Sequence, residues 1–468
     1  MPLSLFILWN NYDNKYSNFL WGFFFIGTSH YWLTYLHPLT WLGFSWITSV
    51  ITSIFIWLTI SLLGGFLVFL WGFISKRILP KKDIFLNGIG QLLIKVSLIS
   101  LLWTLGEMAL SQSPFFWIGV SESLIPGDIY LAGLARWIGS SGLCLVQFLI
   151  GFWLFYLYLR WKRKLEYKKT LISGFFFLSL LHLIGALILL PDLDGLPYPI
   201  GIWQSNLPTR EKPLLTTYEI NEKVISIQEK LANNGANLLI LPEGTLKTDF
   251  NFINESKLNT LGGGFRTDDN TLKSSLLAFK KGDKKHFKFL DKHRLVPLGE
   301  KVPKFMNFPF IGLSSVGGLS PGKKSRYFEW GETPPLAISI CYEISDGPEI
   351  RKAIKKGAEL IVSISNLDPY PVKIHNQFLS LARMRSIENK RDQLIISNTG
   401  PTGLITKDGQ ISELLNYNVE EFTILNPKFF NGDSIYNRFG ETPIIIIFSL
   451  LVSINFFLGK ILRNYSST

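Results

Sequence analysis

The sequence predicts a polytopic α-helical membrane arm joined to one α/β or four-layer sandwich domain that lies outside the cytoplasm. Three observations predict this fold class. The 468 residues are 47% apolar and include 37 Phe and 14 Trp, which is more than an ordinary soluble enzyme carries. Apolar stretches of about 20 residues, the length that crosses a bilayer as a helix, recur near both ends. Strand and helix signals alternate through the residues between them, 191–442.

Six apolar stretches have the length of a membrane span, five before the polar region and one after it. They cover about residues 19–36, 46–73, 89–110, 132–159 and 171–190, and then 443–458. We therefore expect five spans within 1–190, a globular domain at 191–442, and a last span with a short cytoplasmic tail at 443–468. Because the first nine residues lack a basic segment and a small-residue cleavage site, the first span is expected to act as the targeting signal.

The net charge of +12 is concentrated outside the globular domain. Residues 191–442 hold 32 Lys and Arg against 29 Asp and Glu, so the rest of the chain holds 15 against 6. The loops 74–88 and 160–170 are basic, whereas 37–45 and 111–131 contain no lysine or arginine. By the positive-inside rule, this alternation places the globular domain outside the cytoplasm. It also argues against nucleic acid as a partner, because the charge follows membrane topology.

Strand and helix patterns can be assigned in order through the globular domain. Predicted strands cover 200–206, 236–241, 335–340, 359–365 and 393–397, predicted helices cover 218–233, 347–356 and 375–389, and a hairpin is predicted at 400–409. Strands that alternate with helices over a region of this length predict either a single α/β domain or a four-layer sandwich.

Cys341 ends a short apolar run in the segment 338–343 (ISICYE), where a thiol stands beside a carboxylate. A nucleophile presented at the end of a strand has this pattern. Free cysteines are also commonly buried and inert, so Cys341 alone is better explained as a core residue. The catalytic interpretation requires a base for the thiol proton and a stabiliser for an oxyanion.

Two upstream segments offer these groups. The segment 239–244 (LILPEG) places Glu243 after a predicted strand, and 292–300 (KHRLVPLGE) begins with Lys292. Each also has an ordinary explanation, since turn glutamates and the lysines of a basic stretch are usually solvated. The functional interpretation depends on the joint occurrence and the order of the three segments.

The ordered trio Glu243, Lys292 and Cys341 resembles the catalytic set of the carbon-nitrogen hydrolase (nitrilase) superfamily. Its setting between membrane spans is similar to that of the apolipoprotein N-acyltransferase family, which completes the maturation of bacterial lipoproteins. The resemblance covers nearly the whole chain, and outside the trio it is carried by 21–23 (WGF), 31–33 (YWL) and 435–440 (IYNRFG).

The resemblance implies a nitrilase-like αββα sandwich on the periplasmic side of a bacterial inner (plasma) membrane. It implies transfer of a fatty acyl chain from a phospholipid to the N-terminal amine of S-diacylglyceryl-cysteine in an apolipoprotein, through a thioester on Cys341. Glu243 would be the base and Lys292 the oxyanion stabiliser. Glu300 would be a second required glutamate, and Tyr342 and Glu343 would shape the site. A monomer without a cofactor is expected.

The chain also departs from the family pattern. Members of the family usually have seven spans before the catalytic domain, and this sequence predicts five. The loop 367–371 (LDPYP) stands where the family has an aromatic and glycine-containing loop at the mouth of the site. The family's tryptophan is absent near Lys212, where the sequence continues with proline.

Three other features leave alternatives open. Glu107 and Arg136, near the outer ends of two predicted spans, fit either a lipid-headgroup pocket or interfacial snorkelling. The six histidines are scattered without metal-ligand spacing, so no metal is expected. A membrane-tethered amidase or nitrilase acting on a small substrate is the rival enzyme, and a membrane scaffold with a relic domain is the rival of another class. The spans lack the broken helices typical of transporters.

Overall fold

A computed structural model describes most of the chain and confirms the predicted fold class. The described residues are 1–11, 15–40, 44–86, 88–113, 118–190, 195–297, 300–301, 318–368 and 370–466. A helical arm precedes an αββα sandwich, and a terminal helix follows it. Residues 298–299 of the Lys292 segment and Pro369 of the predicted mouth loop lie outside the described ranges.

The arm contains eight α-helices and two 3-10 helices within the described ranges. The α-helices are α1 (Pro2–Asn11), α2 (Lys15–Ser29), α3 (Trp46–Ile78), α4 (Asp83–Leu86), α5 (Ile89–Gln112), α6 (Ile129–Ala132), α7 (Ala135–Lys162) and α8 (Lys168–Ile188), and the 3-10 helices cover Tyr31–Leu36 and Ser121–Leu124. Among the described residues, four of these helices (α3, α5, α7 and α8) are long and apolar enough to cross a membrane.

The first predicted span, 19–36, differs in the structure. Helix α2 has 15 residues and ends at Ser29, which is shorter than the roughly 20 residues that a bilayer requires. It ends there because the globular domain binds its last carbonyls: Lys373 Nζ donates to the oxygen of Thr28 (2.7 Å), and Gln377 Nε2 donates to that of Ser29 (3.1 Å). The structure thus has four span-length helices in the described arm, one fewer than the sequence predicts.

The globular domain consists of two six-stranded sheets and the helices that cover them. Its strands are β1 (Ile200–Gln204), β2 (Leu238–Leu241), β3 (Asn259–Asp268), β4 (Thr271–Phe279), β5 (Lys288–Asp291), β6 (Tyr327–Phe328), β7 (Leu336–Ile340), β8 (Leu360–Ser365), β9 (Gln393–Ser397), β10 (Gly403–Ile405), β11 (Ile411–Leu414) and β12 (Glu421–Leu425). Its helices are α9 (Thr217–Asn233), α10 (Gly347–Lys355), α11 (Val372–Asn389) and α12 (Ile435–Phe439), and α13 (Thr442–Ser466) follows.

The two sheets have the same kind of topology. The first has the order β12-β1-β2-β3-β4-β5, with β1, β2 and β3 parallel. The second has the order β11-β10-β9-β8-β7-β6, with β7, β8 and β9 parallel. Antiparallel strands flank each parallel centre. Parallel strands buried on both faces read as continuous apolar runs, which explains why β7 and β8 were recognisable in the sequence.

The core lies between the two sheets. Ile240 of β2, Ile338 of β7 and Val362 of β8 belong to one buried apolar cluster. The outer face of the first sheet is covered by α9 through Val224, and that of the second by α10 through Ile350. Fully burying one such aliphatic side chain stabilises the fold by about 1.5–3 kcal/mol. The layers therefore run helix, sheet, sheet, helix.

Arg136 joins the arm to the globular domain. From the start of α7, its guanidinium donates to the carbonyl of Ile188 (2.6 Å) and to the carbonyl of Lys407 (2.8 Å), and it pairs with Asp408 (2.8 Å). The sequence left open a lipid-headgroup pocket or interfacial snorkelling for Arg136. Neither describes this contact, because Arg136 is buried against protein groups. Its role in the structure is to tie two membrane helices to the loop after β10.

Candidate active site

Glu243, Lys292 and Cys341 come together from both sheets. Glu243 follows β2, Lys292 follows β5 and Cys341 follows β7, so each side chain lies just beyond the end of a strand. Lys292 Nζ lies 2.8 Å from Oε1 of Glu243 and 2.7 Å from Oε1 of Glu300. The Cys341 thiol lies close enough to Glu243 and Lys292 for their charges to shift its pKa. One lysine therefore stands between two glutamates, beside the thiol.

Gly263 allows this approach on the first sheet. A Cβ atom at Gly263 would lie 2.5 Å from the Cα of Glu243 and 2.5 Å from the carbonyl oxygen of Pro242, which no side chain tolerates. The absence of a side chain on β3 therefore lets the turn that carries Glu243 lie directly against the strand.

Lys292 is fully buried and is held in its charged form by its neighbours. Burial alone would lower the pKa of Lys292, but Glu243, Glu300 and Cys341 together raise it well above its usual value. An ammonium has three N–H donors, and two of them are used by the carboxylates. Among the described residues the third N–H has no acceptor, so it can serve an oxygen that becomes negative during a reaction.

Cys341 sits in a strained turn. Its φ of 54° is in the left-handed region, which costs a residue other than glycine about 1–3 kcal/mol. Burial and the charge of Glu243 raise the pKa of the thiol well above its usual value, although Lys292 opposes this. The resting thiol is therefore protonated, and it becomes a strong nucleophile only when a base takes its proton.

Glu343 supports the turn rather than facing the trio. Its carboxylate accepts hydrogen bonds from the amides of Ile340 (2.9 Å) and His293 (2.7 Å) and pairs with Arg326 (3.0 Å). Burial disfavours its ionisation, but Arg326 and His293 outweigh this and lower the pKa of Glu343 to about 2. Glu343 thus fixes the residue after Lys292 and the residue before Cys341 relative to each other.

This pairing makes a prediction about acid stability. A carboxyl group whose pKa is lowered by folding stabilises the protein above its unfolded pKa, and this stabilisation is lost as the pH falls through the folded pKa. For Glu343 the window runs from its ordinary 4.5 down to about 2, and the effect amounts to about 3 kcal/mol. Glu343→Gln should flatten the decline of thermal stability in this window.

The same variant should lower stability at pH 7 by about 3–5 kcal/mol, because Arg326 stays buried without its partner. Thermal unfolding of detergent-solubilised protein at pH 7, 4.5 and 3 measures both effects. Glu222→Gln, on the exposed face of α9, is the matched control and should change neither. Equal pH slopes in Glu343→Gln and wild type would contradict the assignment.

Tyr342 and the mouth of the site are packed against the arm. The hydroxyl of Tyr342 donates to the carbonyl of Leu295 (3.2 Å), and the Arg294 guanidinium lies 5.1 Å from the centre of its ring. In the predicted mouth loop, the ring of Tyr370 meets that of Trp32 edge to face, with 5.4 Å between centroids. The loop that borders the trio is thus in contact with the membrane arm.

Arg294 makes the second direct connection between site and arm. Its guanidinium donates to the carbonyl of Ser111 (2.7 Å), at the end of α5, and to that of Ser113. Its backbone amide donates to Glu343 (3.2 Å). Because Arg294 is two residues from Lys292, the end of a membrane helix is bonded to the segment that carries the buried ammonium.

Three contributors to the site have no motif in the sequence. The backbone amide of Asn366 donates to Oε2 of Glu243 (3.1 Å), and the Ser274 hydroxyl lies 3.5 Å from Oε1. Lys212 lies close enough for Glu243 to influence its pKa. The position of Asn366 at the end of predicted strand 359–365 was a usable signal, since strands of one parallel sheet end at the same edge. Ser274 and Lys212 offered none.

With span-length helices joined to an αββα domain in which Glu, Lys and Cys side chains cluster at the ends of strands, the chain has the architecture of a membrane-embedded α/β protein. No family model matches the chain. An apolipoprotein N-acyltransferase of Prochlorococcus marinus subsp. pastoris is 55% identical over 460 residues, covering 98% of this chain and 92% of the relative. Another, from a second strain of Prochlorococcus marinus, is 41% identical and covers 97% and 91%. The chain belongs to the apolipoprotein N-acyltransferase family and is therefore an acyltransferase.

Two solved structures of the nitrilase superfamily are similar to about half of the chain. A mutant of an amidase of the nitrilase superfamily from Nesterenkonia covers 52% of this chain and 94% of its own, with 12% identity and a TM-score of 0.38. A member of branch 10 of the nitrilase superfamily from Saccharomyces cerevisiae covers 51% and 93%, with 16% identity and a TM-score of 0.38.

Proposed function

We propose that this protein transfers a fatty acyl chain from a phospholipid to the α-amino group of the S-diacylglyceryl-cysteine at the N-terminus of an apolipoprotein. The observation that carries the proposal is the Cys341 thiol beside Glu243 and Lys292, in a domain bonded directly to the ends of membrane helices. We also propose that it acts as a monomer.

In the first half-reaction, Glu243 takes the proton of the Cys341 thiol, and the thiolate attacks the ester carbonyl carbon of the phospholipid. The carbonyl oxygen becomes an oxyanion, which accepts a hydrogen bond from the third N–H of Lys292. The ester C–O bond then breaks. The lysophospholipid alkoxide takes the proton from Glu243 and leaves, and a thioester remains on Cys341.

In the second half-reaction, the lipoprotein amine attacks the thioester carbonyl and gives its proton to Glu243. Lys292 stabilises the second oxyanion in the same way. The C–S bond breaks, the amide is formed, and the thiolate regains a proton from Glu243. Glu243 is ionised at the beginning and at the end of each half-reaction. The cycle therefore needs no cofactor to supply or remove protons.

Glu300 holds Lys292 in this scheme. It is bonded to Lys292 Nζ, and its second oxygen accepts the amide of Val296 at 2.9 Å. Burial and the charge of Glu243 raise the pKa of Glu300, although Lys292 opposes this. We therefore assign Glu300 to positioning the ammonium, and Tyr342 and Glu343 to positioning the turn at Cys341.

The contacts with the arm support a lipid substrate over a small soluble amide. Trp32 and the end of α5 pack beside the mouth and beside the Lys292 segment. A soluble amide would gain nothing from these contacts, whereas a lipid ester has to reach the thiol from the membrane. The rival amidase reaction uses the same trio but leaves the arm without a role.

A covalent intermediate tests the mechanism. Purified wild-type protein incubated with a phospholipid labelled in its acyl chain should retain a hydroxylamine-sensitive label before any lipoprotein is added. Glu243→Gln keeps the shape of the side chain but removes the base, so it should bind the phospholipid and retain no label. A label that resists hydroxylamine, or one that persists in Glu243→Gln, would contradict the scheme.

The proposed orientation places 1–190 and 443–468 in a bacterial inner membrane and 191–442 on its periplasmic side. A reporter that is active only outside the cytoplasm should be active when fused after Leu190 or within 250–260. It should be silent at Lys81 or Lys164, which lie in the basic loops. The reverse pattern would put the globular domain in the cytoplasm, away from exported lipoproteins.

A further inference from the structure

Lys212 is a buried cation without a hydrogen-bond partner. Its Nζ is shielded from solvent, and no residue in the described part of the chain accepts a hydrogen bond from it. A Cβ atom at Gly244 would lie 4.0 Å from this nitrogen, which places it beside the turn that carries Glu243. The ammonium of Lys212 is thus close to the reacting centre, but none of its N–H groups donates a hydrogen bond to a described residue.

Two other buried cations near the site have bonded carboxylates. Lys292 is paired with Glu243 and Glu300, and Arg326 is paired with Glu343. Removing an ammonium from water without hydrogen bonds costs several kcal/mol, unless the group loses its proton or a partner completes its hydrogen bonds. The unused donors of Lys212 therefore point to an anionic ligand.

The segment that carries Lys212 is fixed to the wall of the site. The amide of Thr209 donates to Oδ2 of Asp368 (2.7 Å), and its hydroxyl accepts from Asn366 Nδ2 (3.2 Å). Lys247 Nζ donates to the carbonyl of Lys212 itself (2.5 Å). Because Asn366 also binds Glu243, the ammonium is held at a set position relative to the base.

The same segment faces the membrane arm. Arg210 Nη2 donates to the carbonyl of Pro38 (3.4 Å), which lies between α2 and α3. Leu214, two residues after Lys212, is 80% exposed. A cation therefore lies next to an exposed apolar side chain, on the side of the domain that touches the arm. A molecule with an anionic group next to acyl chains could contact both of them.

We propose that Lys212 binds the phosphate of the phospholipid that donates the acyl chain. The inference rests on the proposed function and adds a recognition site to it. A phospholipid places its phosphate at one end of the glycerol backbone and its reacting esters at the other carbons, so both groups have to be held together. Lys292 serves the ester oxygen, and Lys212 serves the phosphate.

The charge of Lys212 fits this role at neutral pH. Burial lowers its pKa to about 8, although Glu243 and Asp368 oppose this. The amine is therefore mostly protonated at pH 7 and becomes neutral above pH 8. Donor binding through phosphate should weaken across this range, whereas binding of a donor without phosphate should not follow Lys212.

The test compares two donors with identical acyl chains, phosphatidylglycerol and diacylglycerol, in mixed micelles with the full-length protein. The readout is the donor concentration that gives half-maximal thioester formation on Cys341. Wild type should prefer phosphatidylglycerol. Lys212→Met should raise the half-saturating concentration of phosphatidylglycerol about tenfold to a hundredfold, the usual contribution of one charged hydrogen bond, and should change that of diacylglycerol much less.

Two variants and one further measurement sharpen the test. Lys212→Arg should keep most of the preference because it keeps the charge, and Lys284→Met, on an exposed lysine, should behave as wild type. Transfer from preformed thioester to a lipopeptide amine should change less in Lys212→Met than thioester formation from phosphatidylglycerol does. In wild type, the preference for phosphatidylglycerol should fall between pH 7 and pH 9.

Three results would overturn the proposal. An equal loss on both donors in Lys212→Met would mean that the ammonium supports Glu243 rather than phosphate. An unchanged half-saturating concentration would mean that phosphate is bound elsewhere. A wild-type protein that forms no thioester with either donor would refute the proposed function itself, and the phosphate site with it.

Discussion

Replacement of Cys341 by alanine or serine is expected to abolish acyl transfer while the protein still folds and inserts. Alanine removes the nucleophile, and a serine hydroxyl is far less acidic and less nucleophilic than a thiol that has lost its proton. Neither substitution enlarges the side chain, so the turn is kept. The measurements are transfer to a lipopeptide amine and thermal unfolding of the purified variants.

Cys144 provides the matched control for this prediction. It is a second buried cysteine and lies in α7, outside the trio. Cys144→Ala should remain active and should still become labelled by the acyl donor. Substantial transfer by Cys341→Ala would refute a covalent mechanism at this residue.

Substitution of Lys292 is expected to have the second largest effect. Loss of one oxyanion donor usually costs about a hundredfold to a thousandfold in rate. Lys292→Ala also leaves Glu243 and Glu300 facing each other in a buried site, which costs about 3–5 kcal/mol of stability. Lys292→Arg keeps the charge but not the compact ammonium, so its rate should be nearly as low. Single-turnover thioester formation measures the rate separately from stability.

Two lysines of the neighbouring basic stretch serve as controls. Lys284 and Lys288 are exposed, and their substitution by alanine should leave turnover close to wild type. If these variants lost activity as strongly as Lys292→Arg, the ammonium between the two glutamates would not be the one that acts on the substrate.

The sequence predicted the parallel centres of both sheets better than their flanks. The strands at 393–397 and 359–365 were predicted within one residue, because buried parallel strands form continuous apolar runs. The β3-β4 hairpin was missed because three consecutive glycines and several polar residues hide its alternation. Its turn was readable, since Asp269 and Asn270 both have positive φ values and belong to the residue types that favour tight hairpins.

The site shows the same difference between local and distant information. Glu243, Lys292 and Cys341 each follow a recognisable strand or motif, and the structure brings all three together. Arg326 and Lys212 reach the site from segments without periodicity, so their proximity arises only when the two sheets face each other. The positions of such residues depend on tertiary packing, and no local sequence pattern predicts them.

Helix α2 ends on the domain for a related reason. Its apolar pattern continues through 31–36, so composition alone predicts a longer span. The helix ends at Ser29 because Lys373 and Gln377, from distant α11, bind its terminal carbonyls. Two residues more than 300 positions away thus bind the carbonyls at the end of the helix.

If the span-length helices cross a bilayer, the bonds that Arg136 and Arg294 make between the arm and the globular domain fix the height of the Cys341 thiol above it. If the proposed reaction occurs there, the acceptor has to bring its modified cysteine up to that height while its two acyl chains remain in the leaflet. Folded lipoprotein domains cannot approach so closely, so the residues that follow the cysteine need to be an extended tether. Clients with short tethers should be acylated slowly, whatever their sequence.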